Sequence, residues 1–297
     1  MDFELEIIRW FQRFSSGFTD FLGEAITMLG EQLIVVVIIA FIYFVYNKKA
    51  GEYIAYSVFF SASLNGVVKG LVKAERPFQI DDSIVGGRQE TATGFSFPSG
   101  HTQNAATFYT AIAKVFKNKK IWITAGIIIV LVGISRIYLG VHFPRDVIAG
   151  IILGVAAAFF SAFLYKKVDD DFKKKAILFA ITALIFIPFL IIFYEKDYAK
   201  YEDYKDLYMV FSLYLGFALA ILIENKFVNF DCNISLKKRL IRFAGALVIF
   251  IGLYIILSFL FDLINDQSIL LDMLRYFLLS FSALGIYPLF FKKLKLI

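Results

Sequence analysis

Residues 121–146, IWITAGIIIVLVGISRIYLGVHFPRD, open with an apolar run that is nearly long enough to cross the hydrocarbon core of a bilayer as a helix. The run ends in Ser135 and Arg136, and after a turn it is followed by His142 and Asp146. Similar apolar runs recur along the rest of the chain. We therefore predict an all-α, polytopic membrane protein with a polar cluster at the end of its helices.

The composition supports a membrane protein. Of the 297 residues, 59% are hydrophobic and 18% are aromatic, whereas soluble domains average about 45 to 50% apolar residues. The excess of 31 Lys and Arg over 25 Asp and Glu is typical of cytoplasmic loops, so no nucleic-acid partner is expected. The single cysteine, Cys232, can form neither an internal disulfide nor a zinc site, so redox chemistry is not expected.

Nine segments have the length and hydropathy of spanning helices. Their predicted ranges are 30–47, 51–72, 101–117, 121–139, 145–166, 176–194, 207–224, 240–261 and 268–291. In front of them, residues 1–30 alternate apolar and polar side chains at helical spacing, which indicates an interfacial helix or an amphipathic helix packed under the bundle. The expected architecture is about nine transmembrane helices plus an N-terminal interfacial helix.

Charged residues orient and divide the chain. If the spans alternate across the membrane, the lysine clusters at 48–49, 117–120, 166–175, 237–239 and 292–295 lie on one face, which the positive-inside rule makes cytoplasmic. A break at 167–175 separates a core, residues 1–166, from a four-helix extension, residues 167–297, which is either structural or homo-oligomerising. The short loops and the Lys-, Ile- and Phe-rich composition are typical of a bacterial inner-membrane protein.

Three polar elements lie on the opposite, extracytoplasmic face. Lys69 and Arg76 flank a helix end, where cations also occur simply because their side chains reach the interface. Ser99, Gly100 and His101 begin an apolar helix, where backbone amides favour a phosphate oxygen, although a plain helix cap has the same pattern.

The third element contains Arg136, His142 and Asp146. Pro144 suits the first turn of a helix, so His142 and Asp146 should lie one turn apart. A carboxylate in that position can hold the proton on one imidazole nitrogen and leave the other free as a nucleophile, or it can form a purely structural hydrogen bond.

The three elements converge in a chain with only two histidines, and together they supply the groups that phosphoryl transfer needs. Lys69, Arg76 and Arg136 would neutralise phosphate oxygens, and the amides of Ser99 and Gly100 would add fixed donors. His142 would attack phosphorus and His101 would protonate the leaving group. A carboxylate cluster for magnesium is not evident nearby, so we expect a metal-independent reaction with no cofactor.

The motifs Lys69-x6-Arg76-Pro77, Pro98-Ser99-Gly100-His101 and Ser135-Arg136-x5-His142-x3-Asp146 resemble the three signatures of the type 2 phosphatidic acid phosphatase superfamily, in order and complete. The resemblance covers about residues 1–166. It implies His142 as nucleophile, Asp146 as its partner and His101 as general acid. It implies a phosphate site built from Lys69, Arg76, Ser99, Gly100 and Arg136.

The motifs address phosphate alone, so the substrate stays open. The expected substrate is a phosphorylated lipid of the membrane: phosphatidic acid, phosphatidylglycerol phosphate or a polyprenyl diphosphate such as undecaprenyl diphosphate. The alternatives are a phosphotransferase, a sugar-phosphate phosphatase similar to the glucose-6-phosphatases of the same superfamily, and an anion transporter. Within the last predicted span, Asp272 and Arg275 are expected to pair or to face the bundle interior.

Overall fold

The computed structural model describes residues 2–168, 171–265 and 267–297, and for Glu90 the backbone only. Their regular structure is helical, with no β-strand in these ranges. The helices of the core are α1 (Asp2–Gln12), α2 (Gly17–Met28), α3 (Gln32–Phe41, continued by a π-helical turn Ile42–Tyr46), α4 (Lys48–Val72), α5 (Pro77–Ile80), α6 (Gly100–Phe116), α7 (Lys119–Tyr138) and α8 (Pro144–Val168). The extension contains α9 (Phe172–Ile192), α10 (Tyr198–Tyr201), α11 (Lys205–Phe227), α12 (Leu236–Asn265), α13 (Ile269–Phe281, continued by a π-helical turn Ser282–Ile286) and α14 (Tyr287–Leu289). Residues 169 and 170 of the predicted break lie outside the described residues.

The chain is an integral membrane protein, but the predicted count of nine spans is not confirmed. Seven described helices are long and apolar enough to cross a membrane, and an eighth span results if α2 and α3, which are bent by 47°, count as one. Two predicted spans account for the difference. The segment 101–117 is the 17-residue α6, which is short against the ~20 residues that a spanning helix needs. The segment 30–47 is α3 with its π-helical turn, and only together with α2 does it reach spanning length.

Helix α6 lies between α4, α7 and α8 at the centre of the core. Its faces are built largely from small side chains, and Ala105, Ala106 and Ala111 are fully buried. The α8 backbone approaches so closely that a Cβ on Gly154 would lie 2.5 Å from the carbonyl oxygen of Gln103. Small residues permit this approach because membrane helices associate through close packing. The close packing fixes the start of α6 relative to the start of α8.

Buried ion pairs join the core to the extension at the end of the bundle far from α6's first turn. Lys48 of α4 pairs with Glu224 of α11, and Lys175 of α9 pairs with Glu52 of α4, each with an N–O distance of 2.6 Å. All four side chains are at least nine-tenths buried. Each charge is offset by its partner, and the two pairs fix α9 and α11 against α4.

The N-terminal helix α1 packs on the turn that carries His142. Its Leu5 and Ile8 are buried in one cluster with Phe143 and Val147. Arg145 also donates to Glu4 at 2.8 Å. An amphipathic helix packed on the bundle was one of the two sequence predictions, while the location of α1 at a membrane interface stays a prediction.

The charges within α13 follow the sequence prediction. Arg275 forms an ion pair with Asp272 one turn earlier, and both side chains are largely buried. Pairing removes the cost of leaving either charge alone in an apolar segment. The prediction that these two residues pair is confirmed.

Candidate active site

The three sequence motifs meet around a cavity of about 280 Å³ at one end of the bundle, which we call the active-site cavity. The predicted site residues in its wall are Lys69, Arg76, Gly100, His101 and His142. The other predicted site residues are buried behind the wall: Ser99, Arg136 and Asp146. The fold thus brings the motifs together, with some groups facing the cavity and others supporting them.

His142 lies in the turn between α7 and α8, with its Nδ1 3.5 Å from Asp146 Oδ2. The same carboxylate oxygen accepts hydrogen bonds from the Ser96 hydroxyl at 2.6 Å and from the Phe143 amide at 2.9 Å. A carboxylate beside Nδ1 favours the tautomer that carries its proton there. The other ring nitrogen, Nε2, is 3.3 Å from an Arg76 guanidinium nitrogen. The unprotonated nitrogen therefore points to the cationic side of the cavity.

The electrostatic environment keeps this imidazole neutral. Burial, together with the positive charges of Arg76, Arg136 and Lys69, holds the pKa of His142 well below its usual value of 6.5. Burial penalises the charged ring because water no longer solvates it, and the nearby cations repel a further positive charge. A neutral ring retains the lone pair that a nucleophile needs.

Arg76 is held by backbone carbonyl groups rather than by a carboxylate. Its guanidinium donates to the carbonyl oxygens of Thr93 at 2.7 Å, Gly94 at 3.1 Å, Phe95 at 3.2 Å and Val141 at 2.9 Å. We call residues 93–95 the binding loop. Neutral acceptors orient the guanidinium without cancelling its charge, so the charge stays available to an anion in the cavity.

The binding loop is tied to the extension. Gly94 has φ +57°, and a Cβ there would lie 2.5 Å from the carbonyl oxygen of Asp203, so glycine suits this position. The Thr93 hydroxyl donates to Asp206 at 2.6 Å, and Asp206 itself lines the cavity from the first turn of α11. The extension, predicted to be structural or oligomerising, therefore forms part of the cavity wall.

Lys69 of α4 and His101 of α6 both line the cavity. Lys69 donates to the carbonyl oxygen of Thr93 at 3.1 Å. The Nε2 atom of His101 is buried without a hydrogen-bond partner among the described residues. Because buried polar atoms usually have partners, this ring nitrogen is suited to bind a group that enters the cavity.

Ser99 and Arg136 are buried and are not among the residues that line the cavity. The Ser99 amide donates to the backbone carbonyl of Asp146 at 3.0 Å, and its hydroxyl bonds to that of Thr102 at 2.9 Å. Arg136 donates to the Thr27 hydroxyl at 2.9 Å. That Ser99 and Arg136 bind phosphate stays a prediction. The hydrogen bonds of Ser99 also fix the start of α6 against the start of α8.

A polar network that was not predicted from the sequence contributes Ser61, Asn65 and Gln103 to the cavity lining. Asn65 donates to Gln103 at 2.8 Å, Gln103 donates to the Ser61 carbonyl oxygen at 2.8 Å, and Thr107 donates to the Ser61 hydroxyl at 2.7 Å. Polar residues four apart inside two apolar helices were the available signal. Ser96 was also missed, since a serine in a polar loop has no distinguishing pattern.

The donor set does not form a metal centre. Across residues 2–168, 171–265 and 267–297, no three His, Cys, Asp or Glu side chains are grouped so that they could hold a metal ion. The polar groups that line the cavity are Lys69 and Arg76, the carboxylates of Glu31 and Asp206, the two imidazoles, and several amides and hydroxyls. Around the two histidines the nearby charges are mainly positive. Such surroundings suit an anion such as phosphate.

These features define an integral membrane protein with a cationic cavity that contains two histidines. The PAP2 superfamily model matches residues 51–170, and the model of the PAP2 superfamily phosphatase transmembrane extension matches residues 208–297. The chain belongs to the PAP2 superfamily and carries its transmembrane extension. The resemblance read from the three motifs is thereby confirmed.

The chain is similar to several curated proteins. It is 47% identical over 91 residues to phosphatidylglycerophosphatase B of Bacillus subtilis (strain 168), which covers 28% of this chain and 43% of that protein. It is 34% identical over 117 residues to the undecaprenyl-diphosphatase of Sulfolobus acidocaldarius, which covers 39% of this chain and 55% of that protein. The chain thus spans about half the length of these relatives.

One solved structure is also similar to the chain. It is the crystal structure of a transmembrane PAP2 type phosphatidylglycerolphosphate phosphatase from Bacillus subtilis. The match has 29% identity and a TM-score of 0.48, and it covers 56% of this chain and 86% of that one.

Proposed function

We propose that this chain is a metal-independent membrane phosphatase that hydrolyses the phosphomonoester or diphosphate of a lipid through a phosphohistidine at His142. In this proposal residues 1–166 form the catalytic core, and the cavity opens on the extracytoplasmic face. The lysine-rich helix ends lie at the opposite end of the bundle from the cavity, which supports that orientation.

The observation that carries the proposal is the environment of His142. Its Nδ1 is 3.5 Å from a buried carboxylate, and its Nε2 faces a guanidinium at the edge of a cationic cavity. A structural histidine needs only hydrogen-bond partners. This one combines an orienting carboxylate, a low pKa and an anion-binding cavity, which together suit a nucleophile.

The reaction proceeds in two steps, formation of the phosphohistidine and its hydrolysis. Burial and the cations Arg136 and Lys69 hold the pKa of His101 well below its usual value, so this ring takes up its proton when the negative charge of a bound phosphate offsets those cations. First, His142 Nε2 forms a bond to phosphorus while the bond from phosphorus to the leaving oxygen breaks, and the protonated His101 donates its proton to that oxygen. Second, His101 takes a proton from water, the water oxygen bonds to phosphorus, and the N–P bond breaks to release phosphate. The positive charge that develops on His142 in the first step is balanced by Asp146.

Cationic and amide donors stabilise both transition states. Lys69 and Arg76 neutralise the phosphate oxygens from the cavity wall, and the Gly100 amide adds a donor at the start of α6. Arg136 adds positive charge from behind the wall. These groups are fixed by the surrounding structure before substrate arrives, so little reorganisation is needed during the reaction.

A lipid substrate is favoured by the membrane location and by relatives whose names describe lipid phosphatases. A lipid whose tail stays in the bilayer can bring its phosphate to the end of the bundle without leaving the membrane. The candidates are phosphatidic acid, phosphatidylglycerol phosphate and undecaprenyl diphosphate.

The test is phosphate release by the detergent-purified protein in chelator, with these lipids and glucose 6-phosphate as substrates. The wild type should release phosphate from at least one lipid and form an acid-labile, base-stable phosphoenzyme. His142→Ala should do neither, whereas Ser57→Ala, a buried change that only removes a bond within α4, should behave as wild type.

Four results would contradict parts of the proposal. Near-normal turnover by His142→Ala would exclude this residue as nucleophile, and activity that needs added magnesium would exclude the metal-independent route. Transfer of the phosphoryl group to an added alcohol instead of water would indicate a phosphotransferase. Uptake of a phosphate ester into proteoliposomes that survives His142→Ala would indicate a transporter.

A further inference from the structure

A second, apolar cavity lies between the core and the extension, and we call it the tail groove. It is bounded by α3 and α4 on one side and by α11, α12 and α13 with its π-helical turn on the other. Its volume is about 90 Å³, and its lining is almost entirely apolar, with Ala40, Val58, Leu213, Phe217 and Ala283 as examples. The groove is therefore narrow.

The tail groove continues the active-site cavity along the same helix faces. One face of α4 carries lining residues of both cavities. Lys69, Gly66 and Ala62 line the active-site cavity, and Val58, Ala55 and Gly51 then line the tail groove. On α11 the corresponding order is Asp206, Val210, Leu213, Phe217 and Ile221. Steps of three and four residues keep side chains on one face of a helix. The residues that line the polar cavity and those that line the apolar groove thus follow one another on the same faces of α4 and α11, and together they mark a path that changes from charged to apolar with depth.

The length of the path fits a lipid chain. From Asp206 to Ile221, at a rise of 1.5 Å per residue, α11 extends about 22 Å. One leaflet of the hydrocarbon core is about 15 Å deep, half of the ~30 Å of the whole core. A chain attached to a phosphate in the cavity is therefore long enough to reach the groove, whereas a sugar phosphate would leave the groove empty.

We propose that the tail groove binds the hydrocarbon chain of the phosphorylated lipid while its phosphate occupies the active-site cavity. This inference rests on the proposed function and narrows it to a long-chain lipid. It also gives the extension a role, since α11, α12 and α13 supply one wall of the groove. The enzyme uses binding energy from the remote chain to place the phosphate at His142.

Two substitutions on one helix block the groove at different depths. Val36 and Ala40 both line the groove from α3 and are half-buried, and they lie about 5 Å and 10 Å below Leu33 of the active-site cavity. Val36→Phe and Ala40→Phe each add a ring to the narrow space. Ala156→Phe is the matched control, because Ala156 lies on an exposed face of α8 away from the groove.

The assay compares kcat/KM for dipalmitoyl phosphatidic acid, dihexanoyl phosphatidic acid and p-nitrophenyl phosphate in detergent. We expect both groove variants to lose about tenfold or more on the dipalmitoyl lipid and to keep p-nitrophenyl phosphate turnover within about twofold of wild type. On the dihexanoyl lipid Ala40→Phe should resemble wild type, while the shallower Val36→Phe should be slower. Ala156→Phe should match wild type on all three.

The outcomes separate the two proposals. If both groove variants match Ala156→Phe on the dipalmitoyl lipid while wild type is active, the tail lies elsewhere and the proposed function stands. If either variant loses p-nitrophenyl phosphate turnover as well, its fold is damaged and the other variant decides the question. If wild type hydrolyses none of the three compounds and also releases no phosphate from phosphatidylglycerol phosphate or undecaprenyl diphosphate, the proposed function fails and the tail assignment fails with it.

Discussion

Ser96 does not line the active-site cavity, yet removing its hydroxyl should weaken catalysis. Ser96 is fully buried, and its hydroxyl donates to Asp146 Oδ2 at 2.6 Å while lying 3.4 Å from His142 Nδ1. A hydrogen bond to a charged group contributes about 1.5–3 kcal/mol. If Ser96→Ala loses that amount in the transition state, kcat/KM falls by roughly 10- to 150-fold, since each 1.36 kcal/mol is tenfold in rate.

The assay is kcat/KM for phosphatidic acid hydrolysis by Ser96→Ala, with Ser57→Ala as the control of equal burial. The loss should appear mainly in kcat, because Ser96 orients the nucleophile through Asp146 rather than binding substrate. In an Asp146→Ala background the same change should cost little, because its partner is gone. A loss below twofold, or an equal loss in both backgrounds, would refute the role of Ser96 in positioning Asp146.

Three other changes probe separate parts of the structure. Arg76→Lys should lower kcat/KM by about 10²-fold or more, because a lysine cannot reproduce the forked donors that hold the binding loop beside His142; equal steady-state rates would contradict this. The low pKa of His142 keeps its neutral form below pH 6.5, so the acid limb of kcat/KM should lie well below that pH. Lys69→Met removes a repelling charge, raises that pKa and should move the limb to higher pH; an unmoved or lowered limb would count against the assignment. Glu52→Gln removes the carboxylate that pairs with the buried Lys175 and should lower the free energy of unfolding in detergent by about 3–5 kcal/mol. The double variant Glu52→Gln/Lys175→Met should recover that stability. An unchanged unfolding midpoint for Glu52→Gln would mean the pair is not buried in solution.

The membrane fold and the catalytic motifs could be read from the sequence alone. Long apolar runs predict spanning helices because the bilayer requires both length and hydrophobicity. Seven of the predicted spans have counterparts among the described helices. The two that differ, 30–47 and 101–117, are cases in which hydropathy does not report a bend or a short helix enclosed by others.

The motif residues could be recognised because their spacing is local. His142 and Asp146 lie one turn apart in sequence, so their contact follows from helix geometry. The tertiary structure alone decided which of them face the cavity. Ser99 carries a motif position, yet its amide is used by the Asp146 carbonyl oxygen across the α6–α8 contact. A contact between helices depends on their packing, which residue spacing within one helix does not specify.

The contacts of the extension are even harder to predict from residue spacing. Asp206 and the apolar stripe of α11 have no motif, and from the sequence they are indistinguishable from an ordinary spanning helix. Only the packing of α11 against α4 brings Asp206 to the binding loop and Leu213 to the tail groove. The sequence by itself identified the residues to which we assign phosphate chemistry, because that chemistry would depend on a few charged and histidine side chains with recognisable spacing. The tertiary structure decided which surfaces surround the rest of the substrate, because those surfaces form only where separate helices meet.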